Sequence, residues 1–191
     1  MGFNHCYLII KCFILGVPKK HLTCLLKSKD MFMYEESVEL FENCLLGLKV
    51  REKTNEVDLK VSDIILANFK DNVLFDTMNH PRGLVFKELS NKIIGILGGN
   101  RDCYNFDDFK IFLGSVSIPP YYSTKFNLGL NYELEDFSTV DGELISIDEV
   151  VDRFYYDYMN SSLSLETLLE KNKSKNVIIL DRVVNRCFFD G

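Results

Sequence analysis

The chain has 191 residues, enough to bury a substantial core, and we expect a single domain. A composition of 47% hydrophobic and 26% charged residues is typical of a folded globular protein and argues against disorder. The net charge of -6 argues against a general nucleic-acid surface, because phosphate binding depends on clustered Lys and Arg.

The six cysteines are scattered along the chain without a C-x-x-C pair. This spacing is typical of reduced, mostly buried thiols in a cytoplasmic protein, and it predicts neither a disulfide framework nor a metal site. The apolar run at 7–17 is interrupted by Lys11 and is shorter than the roughly 20 residues that cross a bilayer. It also lacks the features of a signal peptide, so we expect a core helix and no transmembrane segment.

The first half of the chain predicts several helices. Residues 6–15 form one that Gly16 ends, and 19–29 form a short amphipathic helix. Ser37 is predicted to cap a helix that reaches about Val50. The alternating residues 57–61 favour an edge strand or an extended lead into a further helix over 62–68, capped by Ser62.

The centre of the chain predicts a strand, a polar turn and a helix. Residues 73–75 fit the end of a buried strand, and 76–79 are polar or turn-forming. Pro81 fits the first position of a helix that continues over 84–98, with Asn79 or His80 as its cap. Gly98 and Gly99 should end this helix. Its spacing predicts a buried face formed by Phe86, Leu89, Ile93 and Ile96, flanked by Val85, Ile94 and Leu97.

The stretch after Gly99 begins with a polar connection at 100–108. Residues 109–116 could form a strand or a short helix, and the pair Pro119-Pro120 imposes an extended path. A helical turn is predicted over 124–130, ending near Gly129.

The last third of the chain has the clearest local signal for a helix start. Ser146 and Glu149 form a capping box, and an apolar stripe follows them for three turns. Ser164 is predicted to cap a short helix that reaches Lys171, and residues 177–180 favour a strand. The whole pattern indicates a helix-rich α/β domain with a small sheet flanked by helices.

The turn at His80 is the candidate site that the residues themselves indicate. A strand, a polar turn and a helix N-terminus would place free N–H groups and a positive dipole end beside an imidazole, which suits an anion or an acyl group. The alternative is that Asn79 and His80 only cap the helix. His80 is the candidate base, and Asp76 and Glu52 are candidates to orient it on chemical type alone.

The same stretch resembles a known family. The run Leu74-Phe75-Asp76-Thr77-Met78-Asn79-His80-Pro81 is similar to the "LF-x-T-x-NHP" segment of the WcbI-type capsular polysaccharide biosynthesis proteins. Upstream, the pair Arg51-Glu52 and the run Val61-Ser62-Asp63-Ile64-Ile65 resemble the family's "RE…VD…IS-x-x-I" pattern, and downstream the run Leu128-Gly129-Leu130 resembles its "LGL". The resemblance covers about residues 35–160.

The resemblance implies a coenzyme A-binding α/β protein that transfers an acetyl group from acetyl-coenzyme A to a sugar of a surface polysaccharide. Its partners would be an acyl-coenzyme A and a glycan or nucleotide-sugar acceptor. We expect Asn79 and Arg82 to contribute to cofactor binding. Lys19 and Lys20 belong to a basic cluster that is either a solvated face or a surface for the anionic cofactor.

The chain departs from the family pattern at one point. The family begins with a strand and a "GNCQ" turn, whereas Asn4-His5-Cys6 lacks the glycine and glutamine, and Asn43-Cys44 lies in a helical pattern. A truncated or divergent member is therefore expected. The competing function is a non-catalytic binding or scaffold component of glycan synthesis, acting as a homo-oligomer or with a partner from that machinery. A serine hydrolase is a third reading, although no serine lies in a recognisable nucleophile turn.

Overall fold

A computed structural model describes residues 6–77, 80–99, 116–117, 120–134, 137–140, 142–161, 164–171 and 176–189. The predicted helix-rich, mixed α/β fold is confirmed. In chain order the elements are α1 (Tyr7–Ile14), α2 (Lys19–Leu26), α3 (Tyr34–Thr54), α4 (Val61–Asn68), β1 (Phe75–Thr77), β2 (His80–Pro81), α5 (Gly83–Ile96), β3 (Val116–Ser117), α6 (Tyr122–Leu128), β4 (Phe137–Val140), β5 (Glu143–Ser146), α7 (Ile147–Met159), α8 (Leu165–Lys171) and α9 (Val177–Phe188).

The chain divides into two compact units. Unit 1 contains the described residues within Met1–Asn43, Pro120–Leu128 and Ile145–Gly191. Unit 2 contains those within Cys44–Pro119 and Gly129–Leu144.

Unit 1 is a helical assembly around α1. The predicted core helix is confirmed, because five of its eight residues are buried, namely Tyr7, Leu8, Ile9, Ile10 and Cys12. Helices α7, α8 and α9 pack against α1, and α2 packs against α7. The hydroxyl of Tyr155 donates a hydrogen bond of 2.8 Å to the carbonyl oxygen of Val17, which joins α7 to the turn after α1.

Two helix starts in unit 1 follow the sequence prediction. The Ser146 side chain accepts a hydrogen bond of 3.3 Å from the backbone N–H of Glu149, and a Glu149 carboxylate oxygen accepts one of 2.7 Å from the N–H of Ser146. The capping box is therefore confirmed. The Ser164 hydroxyl likewise accepts a hydrogen bond from the N–H of Thr167, so the cap of α8 is also confirmed.

The strand predicted at 177–180 is wrong. These residues form the first turn of α9, whose buried side chains are Ile179, Val183 and Val184. The spacing of these three residues matches one face of a helix packed on α1. Burial of that face outweighs the preference of β-branched residues for strands.

The two small sheets are antiparallel. In one, β1 pairs with β2, with Phe75 opposite Pro81 and Thr77 opposite His80. The other has the order β3-β4-β5, with Val116 opposite Val140. The sequence analysis did not predict β4 and β5.

Helix α3 differs from its prediction at both ends. It begins at Tyr34, so Ser37 is not a cap but a buried residue whose hydroxyl accepts a hydrogen bond of 2.8 Å from Asn127. It continues to Thr54, which makes Glu52 a helical residue. The stretch between α3 and α4 contains no strand, so the predicted edge strand is wrong: turns and bends lead to Lys60, the extended N-cap residue of α4.

Helix α5 begins later than predicted and buries a different face. Pro81 lies in β2, and Arg82 occupies the N-cap position before Gly83. Val85 is buried, whereas four of the residues predicted to form or flank the buried face are exposed: Phe86, Ile93, Ile96 and Leu97. The helix does end as predicted, because Gly98 has a φ of 71° and Gly99 donates a hydrogen bond to the carbonyl oxygen of Ile94.

The remaining expectations concern thiols, metals and membranes. The five described cysteines, Cys6, Cys12, Cys24, Cys44 and Cys187, are free thiols. Among the described residues, no helix is long and apolar enough to span a bilayer, and no group of three ligating side chains could hold a metal ion.

Candidate functional site

The His80 turn lies in unit 2, where a short hairpin leads into a long helix. The sequence predicted a polar turn from Asp76 onward, but Asp76 and Thr77 belong to β1 and His80 belongs to β2. The N–H of Arg82 donates a hydrogen bond of 2.8 Å to the carbonyl oxygen of Leu74, which extends the pairing up to α5. Asn79 lies outside the described residues, so its predicted role in cofactor binding stays a prediction.

Asp76 holds the side chain of Arg82. The Asp76 carboxylate is 4% exposed and accepts a hydrogen bond of 2.8 Å from Nε of Arg82. Within the described part of the chain, no hydrogen bond engages the two terminal nitrogens of this guanidinium. The hypothesis that Asp76 orients His80 stays untested, whereas its contact with Arg82 fixes a cation in the turn.

His80 has a buried ring nitrogen that could serve a reaction. Its Nδ1 is shielded from solvent and has no hydrogen-bond partner among the described residues. A buried polar atom without a partner costs about 1–3 kcal/mol, so it calls for an explanation, of which a catalytic role is one. An imidazole is the side chain that most often accepts a proton from a reacting hydroxyl group.

The N-terminus of α5 adds a positive dipole end to the same turn. No side chain caps this helix, and its first turn contains no acidic residue. Arg82 is the N-cap residue of this helix. Free N–H groups at a helix N-terminus together with an anchored arginine suit an anionic ligand.

Tyr132 is a residue that the sequence analysis missed. Burial raises the pKa of its phenol, and the positive charge of Arg82 opposes that rise, which places the phenol in the neighbourhood of the guanidinium. The preceding residue, Asn131, is tied to the turn ahead of β1 by hydrogen bonds to Lys70 and Asp71. The sequence does contain a signal for this residue, because the family-like "LGL" run ends two residues before Tyr132.

Glu52 is engaged with the start of α4. One carboxylate oxygen accepts a hydrogen bond of 2.9 Å from the N–H of Ser62, and the other accepts one of 2.5 Å from the Ser62 hydroxyl. Burial opposes ionisation, but these bonds outweigh it and hold the pKa of Glu52 below its usual value. The predicted cap role of Ser62 is therefore corrected: Glu52 caps α4, and Ser62 is a donor to it. This contact favours a structural role for Glu52 over an orienting role toward His80.

Lys19 and Lys20 lie in the first turn of α2, in unit 1. The ammonium group of Lys19 forms a 2.6 Å ion pair with Asp152, and it lies 5.9 Å from the ring centre of Tyr155. Lys20 is exposed. Their assignment to the cofactor stays a prediction.

Unit 1 also places a thiol at a helix start. Cys6 occupies the N-cap position of α1, and its Sγ lies 3.2 Å from the hydroxyl of Tyr121. Cys12, one and a half turns further along, is fully buried, and that burial raises its pKa to about 12. Of these two thiols, Cys6 is the accessible one. The departure from the "GNCQ" pattern therefore still leaves a cysteine immediately before a helix.

Comparison with known proteins identifies one family. The family model described as "Polysaccharide biosynthesis enzyme WcbI" matches residues 3–102. No curated protein matches the sequence.

One solved structure shares the fold. It is a structure of WcbI, described as a novel polysaccharide biosynthesis enzyme, in its native form without a disulfide bond between coenzyme A and one of its cysteines. It aligns with 95% of this chain at a TM-score of 0.74 and 20% sequence identity. The present chain spans 61% of the length of that protein.

Proposed function

Because the chain belongs to the WcbI family of polysaccharide biosynthesis enzymes, we propose that it transfers an acetyl group from acetyl-coenzyme A to a hydroxyl group of a surface-polysaccharide sugar. The naming of coenzyme A in the description of the WcbI structure supports the choice of carrier. The acceptor would be a glycan or a nucleotide sugar.

The observation that carries the proposal is the buried, unpartnered Nδ1 of His80 at the start of an uncapped helix. The imidazole of His80 would take the proton from the sugar hydroxyl as its oxygen attacks the acyl carbon. The N–H groups of Gly83 and Leu84 would donate to the oxygen that becomes negative, whereas that of Val85 already donates to the carbonyl oxygen of Arg82. The same imidazole would then return its proton to the departing sulfur, which balances the reaction.

Arg82 is the residue best placed to hold the anionic groups of the carrier. Its Nε donates a hydrogen bond to Asp76, which fixes the position of the guanidinium group. An arginine anchored in this way loses little side-chain entropy when it binds a phosphate. When bound, acetyl-coenzyme A supplies the activated acyl group as a thioester. We keep Asn79 as a further proposed contact.

Thermal unfolding with coenzyme A and acetyl-coenzyme A tests the proposal. A ligand that binds only the folded chain raises its stability in a saturable way. We expect Arg82→Gln to reduce this shift. We expect His80→Gln to lower the rate of acetyl transfer by about 10²–10⁴-fold while most of the thermal shift remains. Arg51→Gln is the matched control, because it removes the same charge from an exposed residue whose Nε, among the described residues, donates only to the backbone oxygen of Gly47.

Acetyl transfer is measured by chromatographic separation of coenzyme A from acetyl-coenzyme A with oligosaccharide fragments as acceptors. Unchanged acetyl transfer in His80→Gln would show that His80 is not the base. The absence of any thermal shift at millimolar ligand, in a cooperatively folded sample, would show that the chain does not bind coenzyme A.

A second candidate is a non-catalytic binding component of glycan synthesis. The observation that favours it is the exposed apolar side of α5, where Ile96 and Leu97 are 69% and 78% exposed. Self-association that depends on concentration and is lost in the double variant Phe86→Ser/Ile93→Ser would support this role, provided that coenzyme A gives no shift. A monomeric chain with a coenzyme A shift would exclude it.

A further inference from the structure

Unit 2 contains an open cleft between the end of α3 and the start of α4, with a volume of about 530 Å³. This volume lies within the range of small-molecule sites, about 300–1,000 Å³. The exposed lining residues are Lys49, Lys53, Glu56, Val57, Lys60 and Asp63. All of them lie within the stretch that the family model matches.

The two sides of the cleft are fixed to each other by backbone and side-chain bonds. Glu56 has a φ of 50°, and it ends α3 in a left-handed cap in which the N–H of Val57 donates to the carbonyl oxygen of Glu52 at 3.0 Å. The carboxylate of Glu52 then holds Ser62 at the start of α4. The cleft is therefore formed before a ligand arrives, which lowers the entropic cost of binding.

The lining offers both hydrogen-bond donors and acceptors. Lys49 and Lys53 are one helical turn apart, and within the described residues no hydrogen bond or ion pair engages their ammonium groups. The carboxylate of Glu56 is likewise unengaged there. Asp63 lies 3.9 Å from the ammonium group of Lys92, too far for a hydrogen bond. Several polar groups therefore remain available to a ligand.

The charges of the cleft balance. The three lysines are matched by the carboxylates of Glu52, Glu56 and Asp63. A phosphate-rich ligand needs an excess of positive charge, which this cleft lacks. A sugar hydroxyl both donates and accepts, so it can pair with ammonium and carboxylate groups together. Val57, which is 39% exposed, offers an apolar surface to the C–H side of a sugar ring.

We infer that this cleft binds a neutral saccharide unit through its hydroxyl groups, with Glu56 and Asp63 as the acceptors. The inference rests on the proposed function, because that function brings the chain into contact with glycans. It assigns a saccharide-binding surface to unit 2.

Saturation-transfer NMR with glucose, galactose, mannose and N-acetylglucosamine at millimolar concentration tests the inference. We expect signals from at least one sugar, and about tenfold weaker binding in Glu56→Gln and in Asp63→Asn, as for the loss of one charge-assisted hydrogen bond. Asp58→Asn is the matched control, because it makes the same change at an exposed residue outside the lining. Circular dichroism confirms that each variant is folded.

Three results would overturn the inference: no saturation transfer from any of the four sugars, equal binding by wild type and Glu56→Gln, or displacement of the sugar by inorganic pyrophosphate at lower concentration. The last would identify an anion site instead. The coenzyme A shift is measured on the same samples, so a cleft that fails to bind sugar can be distinguished from a chain that fails to bind the carrier.

Discussion

Replacement of Glu52 by Gln should destabilise the chain without changing its shape. Glu52 is 6% exposed, and both of its carboxylate oxygens accept hydrogen bonds from Ser62. A glutamine side chain retains one acceptor oxygen but presents an NH₂ group in place of the other, and it carries no charge toward the N-terminus of α4.

The expected loss in free energy of unfolding is about 2–3 kcal/mol. A hydrogen bond to a charged group contributes about 1.5–3 kcal/mol, and a negative charge near a helix N-terminus contributes about 0.3–1 kcal/mol. With a urea dependence of about 2 kcal/mol per molar, the unfolding midpoint should fall by about 1 M.

Urea titrations followed by circular dichroism and tyrosine fluorescence measure this loss, since the chain has nine tyrosines and no tryptophan. The pKa of Glu52 is lower in the folded state than in the unfolded chain. Its contribution is therefore present above the usual glutamate value of about 4.3 and is lost as the pH falls through the lower, folded value. The gap between wild type and Glu52→Gln should be widest near neutral pH and should close under acid conditions.

Glu42→Gln is the control for this experiment, because Glu42 lies on the same helix and is exposed. It should change stability by less than about 0.5 kcal/mol. If Glu52→Gln matched the wild type at neutral pH, or if the gap persisted unchanged in acid, Glu52 would not be the charged cap of α4.

Three further predictions concern stability and reactivity. Gly47→Ala should raise stability by about 0.5–1 kcal/mol in a urea titration, because the position is helical and a Cβ atom there would meet nothing within 4 Å; a lower midpoint would contradict this. Arg186→Met should lower stability by about 3–5 kcal/mol, because it leaves the buried Glu36 carboxylate without the donors that lie 2.6 and 2.8 Å away; a loss below 1 kcal/mol would show that the pair is not effectively buried. In alkylation mapped by mass spectrometry, Cys24 should react in the folded chain, whereas Cys12, whose pKa burial raises to about 12, should react only after unfolding; equal rates would contradict the burial of Cys12.

The parts of the fold that the sequence predicts are those determined by neighbouring residues. The capping box of Ser146 and Glu149 spans four residues, so its geometry follows from local chain chemistry. The left-handed end of α5 at Gly98 is local in the same sense.

The parts that it does not predict depend on distant contacts. Residues 177–180 belong to a helix because α9 packs on α1, and no local pattern shows this packing surface. The prediction of the buried face of α5 is wrong for the same reason. Periodicity identifies an apolar stripe at Phe86 and Ile93, but the elements that pack against the helix decide which side is buried, and Val85 is the buried residue.

In the candidate site, too, the sequence predicts the local features but not the contacts between distant residues. His80 was found because a histidine in a strand-to-helix connection is visible in the sequence. The partner of Asp76 was not found, because the choice between His80 and Arg82 depends on the register of a two-residue strand. Glu52 was selected on chemical type alone, and ten residues separate it from the serine that it binds.

The core of unit 1 is closed by residues from opposite ends of the described chain. Tyr7 on α1 donates a hydrogen bond to Asp181 on α9, and Lys11 forms an ion pair with the same carboxylate. During synthesis more than 160 residues must follow α1 before α9 can cover it. The part of α1 that α9 covers therefore stays open to chaperones or to other nascent chains until α9 has been made.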